Sequence, residues 1–199
     1  MGDGLPRLLL ITLTCTLLWG CGIVENDGDS DESAADSTFF RATLNGEEGW
    51  SGDSDAAFSK QGKLDWLTVF ADSMYEGQYY RERLSLSLPF EGRGVYPMVE
   101  NEYRINNDYT RTSGVFFSTN DGDVALTRYR PVPDSSVNQL SIANYDSTTD
   151  VMTGTFRTTV VIVEEDQEPE TGEPPRRRPD TLRFTDGEFR VKVRDLREQ

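Results

Sequence analysis

The sequence predicts an all-β fold, an antiparallel β-sandwich or partly open barrel of about 9–10 strands, preceded by a cleaved leader and an acidic tether. Three observations predict it. From Phe39 onward, apolar and polar residues alternate with a period of two. Turn dipeptides such as Asn45-Gly46, Asp121-Gly122 and Asp186-Gly187 punctuate that alternation. Between them no stretch carries the periodicity of an amphipathic helix. Sandwich and barrel produce the same alternation, so both stay open.

Residues 1–20 read as a lipoprotein signal peptide. Arg7 supplies the positive charge, and Leu8 to Leu18 form an apolar core too short to span a bilayer comfortably. Leu18-Trp19-Gly20-Cys21 has the form of a bacterial lipobox. Gly20 is the small residue before the cut, and Cys21 is the residue that takes the lipid, palmitate among its acyl chains. Asp3 is unusual in such a leader and Trp19 is bulky for its place. The competing reading is an ordinary cleaved signal with an incidental cysteine. Acylated Cys21 would anchor the chain stably, since a diacylglycerol plus an N-acyl chain exceeds the roughly two lipid signals that suffice. The expected location is the bacterial envelope, at the outer membrane, facing the periplasm or the surface.

Residues 21–38 form the tether. Gly22 to Ser37 carries six acids, no base and little to bury, so it is expected to be disordered. A plain spacer is one reading. Another is a surface-sorting signal, because the run resembles the acidic stretches after the lipidated cysteine in some Bacteroidota lipoproteins. Asp27, Asp29 and Asp31 match a calcium loop only in part, lacking the spacing and closing Glu of an EF-hand.

Residues 39–195 are expected to make a single β domain. Phe40, Ala42 and Leu44 alternate with Phe39, Arg41 and Thr43, then Asn45-Gly46 turns toward Trp50. Ala56 to Lys60 is a short strand, with a tight turn at Gln61-Gly62-Lys63. Leu64 to Met74 is apolar on both faces and reads as a doubly covered central strand. Leu84, Leu86, Leu88 and Phe90 mark a half-buried strand with Pro89 at its end. A short extended piece at Gly94 to Pro97 follows, then strands over Thr112 to Ser118 and Val124 to Tyr129 around an Asn120-Asp121-Gly122-Asp123 hairpin. Val137 to Tyr145 and Met152 to Val163 come next. Glu164 to Pro179 reads as a mobile charged loop. Leu182 and Phe184 then lead to a hairpin turn at Asp186-Gly187, and Phe189, Val191 and Val193 close the domain.

Composition excludes much chemistry. The formal net charge is −15, which disfavours nucleic acid and anionic lipid headgroups as partners. There is no histidine, and the two cysteines, Cys15 and Cys21, fall in the leader and at the lipid site. Catalysis by imidazole or thiolate, and metal sites built on either, fall away in the mature domain. No cofactor is expected.

Five motifs in order resemble a domain of unknown function in Bacteroidota-type lipoproteins. They are Phe40-Arg41-Ala42-Thr43-Leu44-Asn45-Gly46 with Trp50, Gly94-Val95-Tyr96, Asp121 to Thr127, Met152-Thr153-Gly154-Thr155-Phe156 and Thr185-Asp186-Gly187-Glu188-Phe189. The resemblance implies an exported, lipid-anchored β domain, with no reaction and no catalytic residues to carry over.

Function stays between classes. A non-catalytic binding or structural role at the envelope, with an envelope protein or a glycan as partner, is the main expectation. A carboxylate-based, glycosidase-like hydrolase is the alternative, as is a calcium- or carbohydrate-binding module. An exposed strand edge that pairs with a partner protein is a further option. Trp50, Trp66, Tyr75, Tyr79, Tyr80, Tyr103 and Tyr109 are the aromatic candidates for stacking on sugars, against core packing as the plainer account, with Trp66 expected in the core. Asn120, Asp121 and Asp123 offer oxygen ligands, against a simple turn. Arg176, Arg177 and Arg178 offer an anion dock, against a solvated charge-mixed loop.

Overall fold

A computed structural model of the chain describes residues 37–74, 80–105, 109–121, 124–165 and 178–198. They belong to one compact unit, Ser33–Gln199. Gly20, Cys21, the acidic run with Asp27, Asp29 and Asp31, and most of the charged loop lie outside the described residues.

The fold is all-β, as expected, and among the described residues there is no helix. Twelve strands are present among the described residues. The first six are β1 (Phe39–Leu44), β2 (Glu48–Ser51), β3 (Asp53–Gln61), β4 (Leu64–Met74), β5 (Tyr80–Pro89) and β6 (Gly94–Pro97). The rest are β7 (Asn101–Ile105), β8 (Tyr109–Asp121), β9 (Val124–Pro131), β10 (Gln139–Asp146), β11 (Val151–Glu165) and β12 (Thr181–Asp195).

The hydrogen-bond ladders close on themselves. β12 pairs β3, and pairing runs on through β4, β5, β8, β9 and β11 back to β12. This ring has the connectivity of a barrel, which leaves its members no free edge along most of their length. The two longest strands each change neighbour along one edge. β12 pairs β1 through Arg190–Phe184 and then β3 through Val193–Asp195. β11 pairs β10 through Val151–Arg157 and then β9 through Val160–Glu165. Two flaps result, β1 with β2 and β10 with β6, while β7 pairs β8.

Three expectations need correction. The sheet is mixed, because β12 and β3 run parallel over three residue pairs. A β12–β3 partnership joins elements far apart in sequence, so no local turn dictates its direction. Asp186-Gly187 is no hairpin turn. It lies inside the 15-residue β12, where Asp186 takes φ 51° and one extra residue faces both neighbours. A β-bulge and a turn both need a residue tolerant of positive φ, so Asp-Gly serves either. The strand count exceeds nine or ten because β2 and β7 are short and poor in alternation. By contrast Asn45-Gly46, with φ 53° and 81°, is a tight turn as expected. β8 and β9 also form the anticipated hairpin, although Gly122 and Asp123 lie outside the described residues.

Two Gly-x-Phe segments explain each other. Gly154 pairs Phe189 and Phe156 pairs Gly187 across the β11–β12 ladder. A Cβ on Gly154 would lie 2.5 Å from the Phe189 ring, and one on Gly187 would lie 2.6 Å from the Phe156 ring. Each phenylalanine therefore lies over its partner's glycine, covering backbone that a strand glycine would leave bare. Phe40 packs against both rings, at 4.7 Å and 6.1 Å between centroids.

The core continues through Trp50, Phe117, Tyr129 and Phe184, with ring centroids 5.4–5.6 Å apart for the closest pairs. A fully buried side chain of this size contributes about 1.5–3 kcal/mol. The inward row of β5 runs through this core. Leu84, Leu86 and Leu88 are buried, and so is Glu82, which stands in the same alternation.

Candidate functional site

Two places in the described residues gather polar chemistry. One is inside the ring and the other on its outer wall.

The inner place is Glu82, only 1% exposed. Period-two alternation turns it inward with the leucines of β5, so its charge needs partners from elsewhere. Trp50, delivered by β2, donates from Nε1 to Oε2 at 2.9 Å. Arg178 donates from Nε to Oε1 at 2.6 Å and from Nη2 to Oε2 at 3.0 Å. Its Nη1 reaches Glu48 Oε2 at 2.5 Å. The backbone beside the arginine is held in turn, since the Tyr129 hydroxyl donates to the Pro179 carbonyl at 3.2 Å. Both Glu82 oxygens are thus engaged, and a two-pronged guanidinium neutralises them. Breaking such a buried pair from one side is costly, so the geometry gives Glu82 a structural role.

Arg178 corrects one expectation. Composition groups it with Arg176 and Arg177 in a solvated loop, yet its side chain is 11% exposed and inserts against Glu82. The loop's residues carry no sign of this. The signal is on the other side: a Glu in register with Leu84, Leu86 and Leu88 requires a buried cation.

The outer place lies on β5, β8, β9 and β11. Here Ser85, Ser87, Phe116, Arg128 and Arg130 line a cavity of about 330 Å³ with Val163. A second cavity of about 600 Å³ shares Glu100 and Arg130 with the first. The two make one groove along the wall. Phe116 is 42% exposed and Val163 46% exposed. Arg130 is exposed and makes no ion pair among the described residues.

The polar line continues beyond Ser87. Its hydroxyl lies 3.1 Å from that of Thr68, which accepts from Arg111 Nη2 at 3.5 Å. Arg111 sits 4.8 Å from the Trp66 ring centroid and makes no ion pair among the described residues. Burial pushes its pKa down from the usual arginine range. Trp66 is fully buried, as expected for a core residue, and its Nε1 has no hydrogen-bond partner. On the same wall Arg83 is spoken for. It holds Asp72 through two bonds of 2.7 and 2.5 Å, and the hydrogen bond raises its pKa.

The other sequence candidates scatter. Trp50 is 3% exposed and belongs to the core and the Glu82 cluster rather than to a loop. Tyr103 stacks edgewise on Trp66 at 5.6 Å, and Tyr109 is 57% exposed. Tyr75 and Tyr79 lie outside the described residues, as do the side chains of Tyr80, Asp121 and Asp123. Asn120 is buried and donates to Ser118 Oγ at 3.2 Å. Asp186 and Glu188 line shared clefts on the β1–β12 face, where Arg41 binds Glu188 at 2.8 Å. Among the described residues no cluster of three or more acids is placed to hold a metal ion, and no helix is long and apolar enough to cross a membrane.

Phe116, the exposed aromatic of the groove, reads in the sequence only as part of a strand. Its neighbours Val115 and Phe117 point inward, and three adjacent apolar residues hide which one faces out. Comparison of the chain with protein-family models, with curated proteins and with solved structures found no match.

Proposed function

We propose that the chain is a lipid-anchored bacterial envelope protein whose β domain binds a partner and catalyses nothing. The anchor rests on Leu18-Trp19-Gly20-Cys21, with cleavage after Gly20 and acylation of Cys21. The resemblance to Bacteroidota-type lipoproteins supports an outer-membrane location on either face. The observation that carries the binding role is the outer groove, where an exposed Phe116 adjoins Arg130, a cation with no acid to satisfy it among the described residues. Solvent-facing strand positions offering an aromatic ring beside an unpaired guanidinium are what a partner would exploit.

The engaged state of Glu82 supports a non-catalytic reading. Asp186 and Glu188 share two clefts, but Glu188 is already held in a salt bridge by Arg41.

The test is labelling of producing cells with an alkyne fatty acid. Wild-type chain should take the label and partition into detergent extracts of membranes. Cys21→Ser should lose both. Equal labelling of the variant would overturn the anchor.

A further inference from the structure

We propose that the outer groove is a subsite for an anionic glycan, a polysaccharide bearing carboxylate or sulfate groups. This inference rests on the binding role proposed above and names its ligand.

The wall itself selects against one large class of ligand. β8, the centre of the groove, pairs β5 on one side and β9 on the other, and β7 pairs its first residues. β9 in turn pairs β11. Phe117 to Asp121 of β8 are paired on both sides, which leaves an extended peptide little ladder to join at that end of the wall. Recognition there runs through side chains.

The lining includes one exposed acid, Glu100, which opposes an anion, and three kinds of side chain that suit a charged sugar. Phe116 offers an exposed ring face, on which the C–H face of a sugar packs with apolar contact. Ser85, Ser87 and Thr112 line the same cavity with hydroxyls that donate and accept, matching the hydroxyls of a sugar ring. Arg130 is a fork of donors with no ion pair among the described residues, suited to two-pronged capture of a carboxylate or sulfate. Arg111 lies further along the same wall, linked to Ser87 through Thr68, and does not line the cavity. Arg130 is exposed and makes no ion pair among the described residues, so its charge is available to a bound anion.

The rest of the molecule sharpens the inference. The formal net charge is −15. Long-range attraction therefore works against any anionic polymer, and retention of one reports a local site rather than bulk ion exchange.

The experiment uses the purified full-length protein in detergent. It is titrated with polygalacturonate, dextran sulfate, uncharged dextran and polyglutamate. Binding of polygalacturonate or dextran sulfate is expected, and whichever is tighter identifies carboxylate or sulfate as the favoured group. Dextran should not bind. Phe116→Ala and Arg130→Gln should each weaken binding about tenfold, the size of losing one stacked ring or one charged contact. Phe116→Leu keeps apolar bulk at the position and should also weaken binding, because it removes the flat face. Arg157→Gln, an exposed arginine on the β10–β11 ladder bonded to Gln139, should bind as wild type. Unchanged melting temperatures would show that the variants fold.

Absence of binding to both charged glycans overturns the proposal. So does binding that survives Phe116→Ala, binding lost equally in Arg157→Gln, or polyglutamate binding as tight as the glycans. The Cys21 labelling is read on the same preparations. Labelled protein with no glycan affinity would sink this subsite and leave the envelope anchor standing.

Discussion

Removing Glu82 is the most informative perturbation of the interior. Glu82→Ala takes away the acceptor of Trp50 Nε1 and of two Arg178 nitrogens. An orphaned buried donor costs about 1–3 kcal/mol, and breaking a buried ion pair from one side costs about 3–5 kcal/mol. Glu48 still holds Arg178 Nη1, so the second figure applies at its lower end. The expected loss is about 4 kcal/mol, a large share of the roughly 5–15 kcal/mol that holds a domain together. Glu82→Gln keeps an oxygen for the indole and should lose about half as much. The decisive variant is Glu82→Leu with Arg178→Met, which replaces both charges by apolar groups of similar bulk. It should recover to within about 1–3 kcal/mol of wild type, the cost of the orphaned Trp50 indole N–H, because no buried charge is left stranded. Urea unfolding followed by tryptophan fluorescence measures all three. A Glu82→Ala loss under about 1 kcal/mol, or a double variant as damaged as the sum of its parts, would refute the reading that mutual compensation keeps this pair buried.

Other outcomes follow from geometry already described. Gly154→Ala and Gly187→Ala should each cost about 1–3 kcal/mol, because the added Cβ meets a backbone carbonyl oxygen, of Ser141 or of Phe156, as well as the opposing phenylalanine ring; an unchanged melting temperature would show that the strands and rings give way. Trp66→Phe should cost about 1 kcal/mol less than Trp50→Phe in urea unfolding, since only the Trp50 indole N–H has an acceptor to lose. Asp195 is held at about 2, down from 3.8, chiefly by its hydrogen bond from Arg197. Its folded pKa lies below the unfolded one, so its stabilisation is complete above about pH 4 and fades as pH falls toward 2. The carboxylate is 44% exposed, and solvent screening keeps the effect below about 1 kcal/mol. Asp195→Asn should flatten the acid limb of the melting curve by that small amount and leave neutral pH nearly unchanged apart from it.

The sequence is most legible where alternation is clean. β1, β5 and β11 fall where apolar residues recur at every second position, because a face buried against one core imposes that rhythm. It is least legible where two physical devices share one residue signature. Asp-Gly at 186–187 satisfies a hairpin turn and a bulge alike, and only the partners β1 and β11 decide between them. Pairing between distant strands is equally hidden. Nothing near Val193 announces Ala56 as its neighbour. The polar sites are legible in pieces. Glu82 stands out by register, but Arg178 is masked by its company, and Phe116 by the apolar residues on either side. The expected acyl site at Cys21 lies outside the described residues and remains a proposal.

β12, the last strand among the described residues, governs timing. It pairs β1, β3 and β11, so it is the strand on which the ring closes. Phe39 finds Arg190 only after nearly the whole chain has been made. Contacts of such long sequence separation make folding slow and late. During synthesis the early strands can form hairpins, such as β3–β4–β5, but no closed ring. A nascent chain of this design cannot close its ring until β12 has emerged. Under the export proposed above, that delay keeps the chain threadable during its passage.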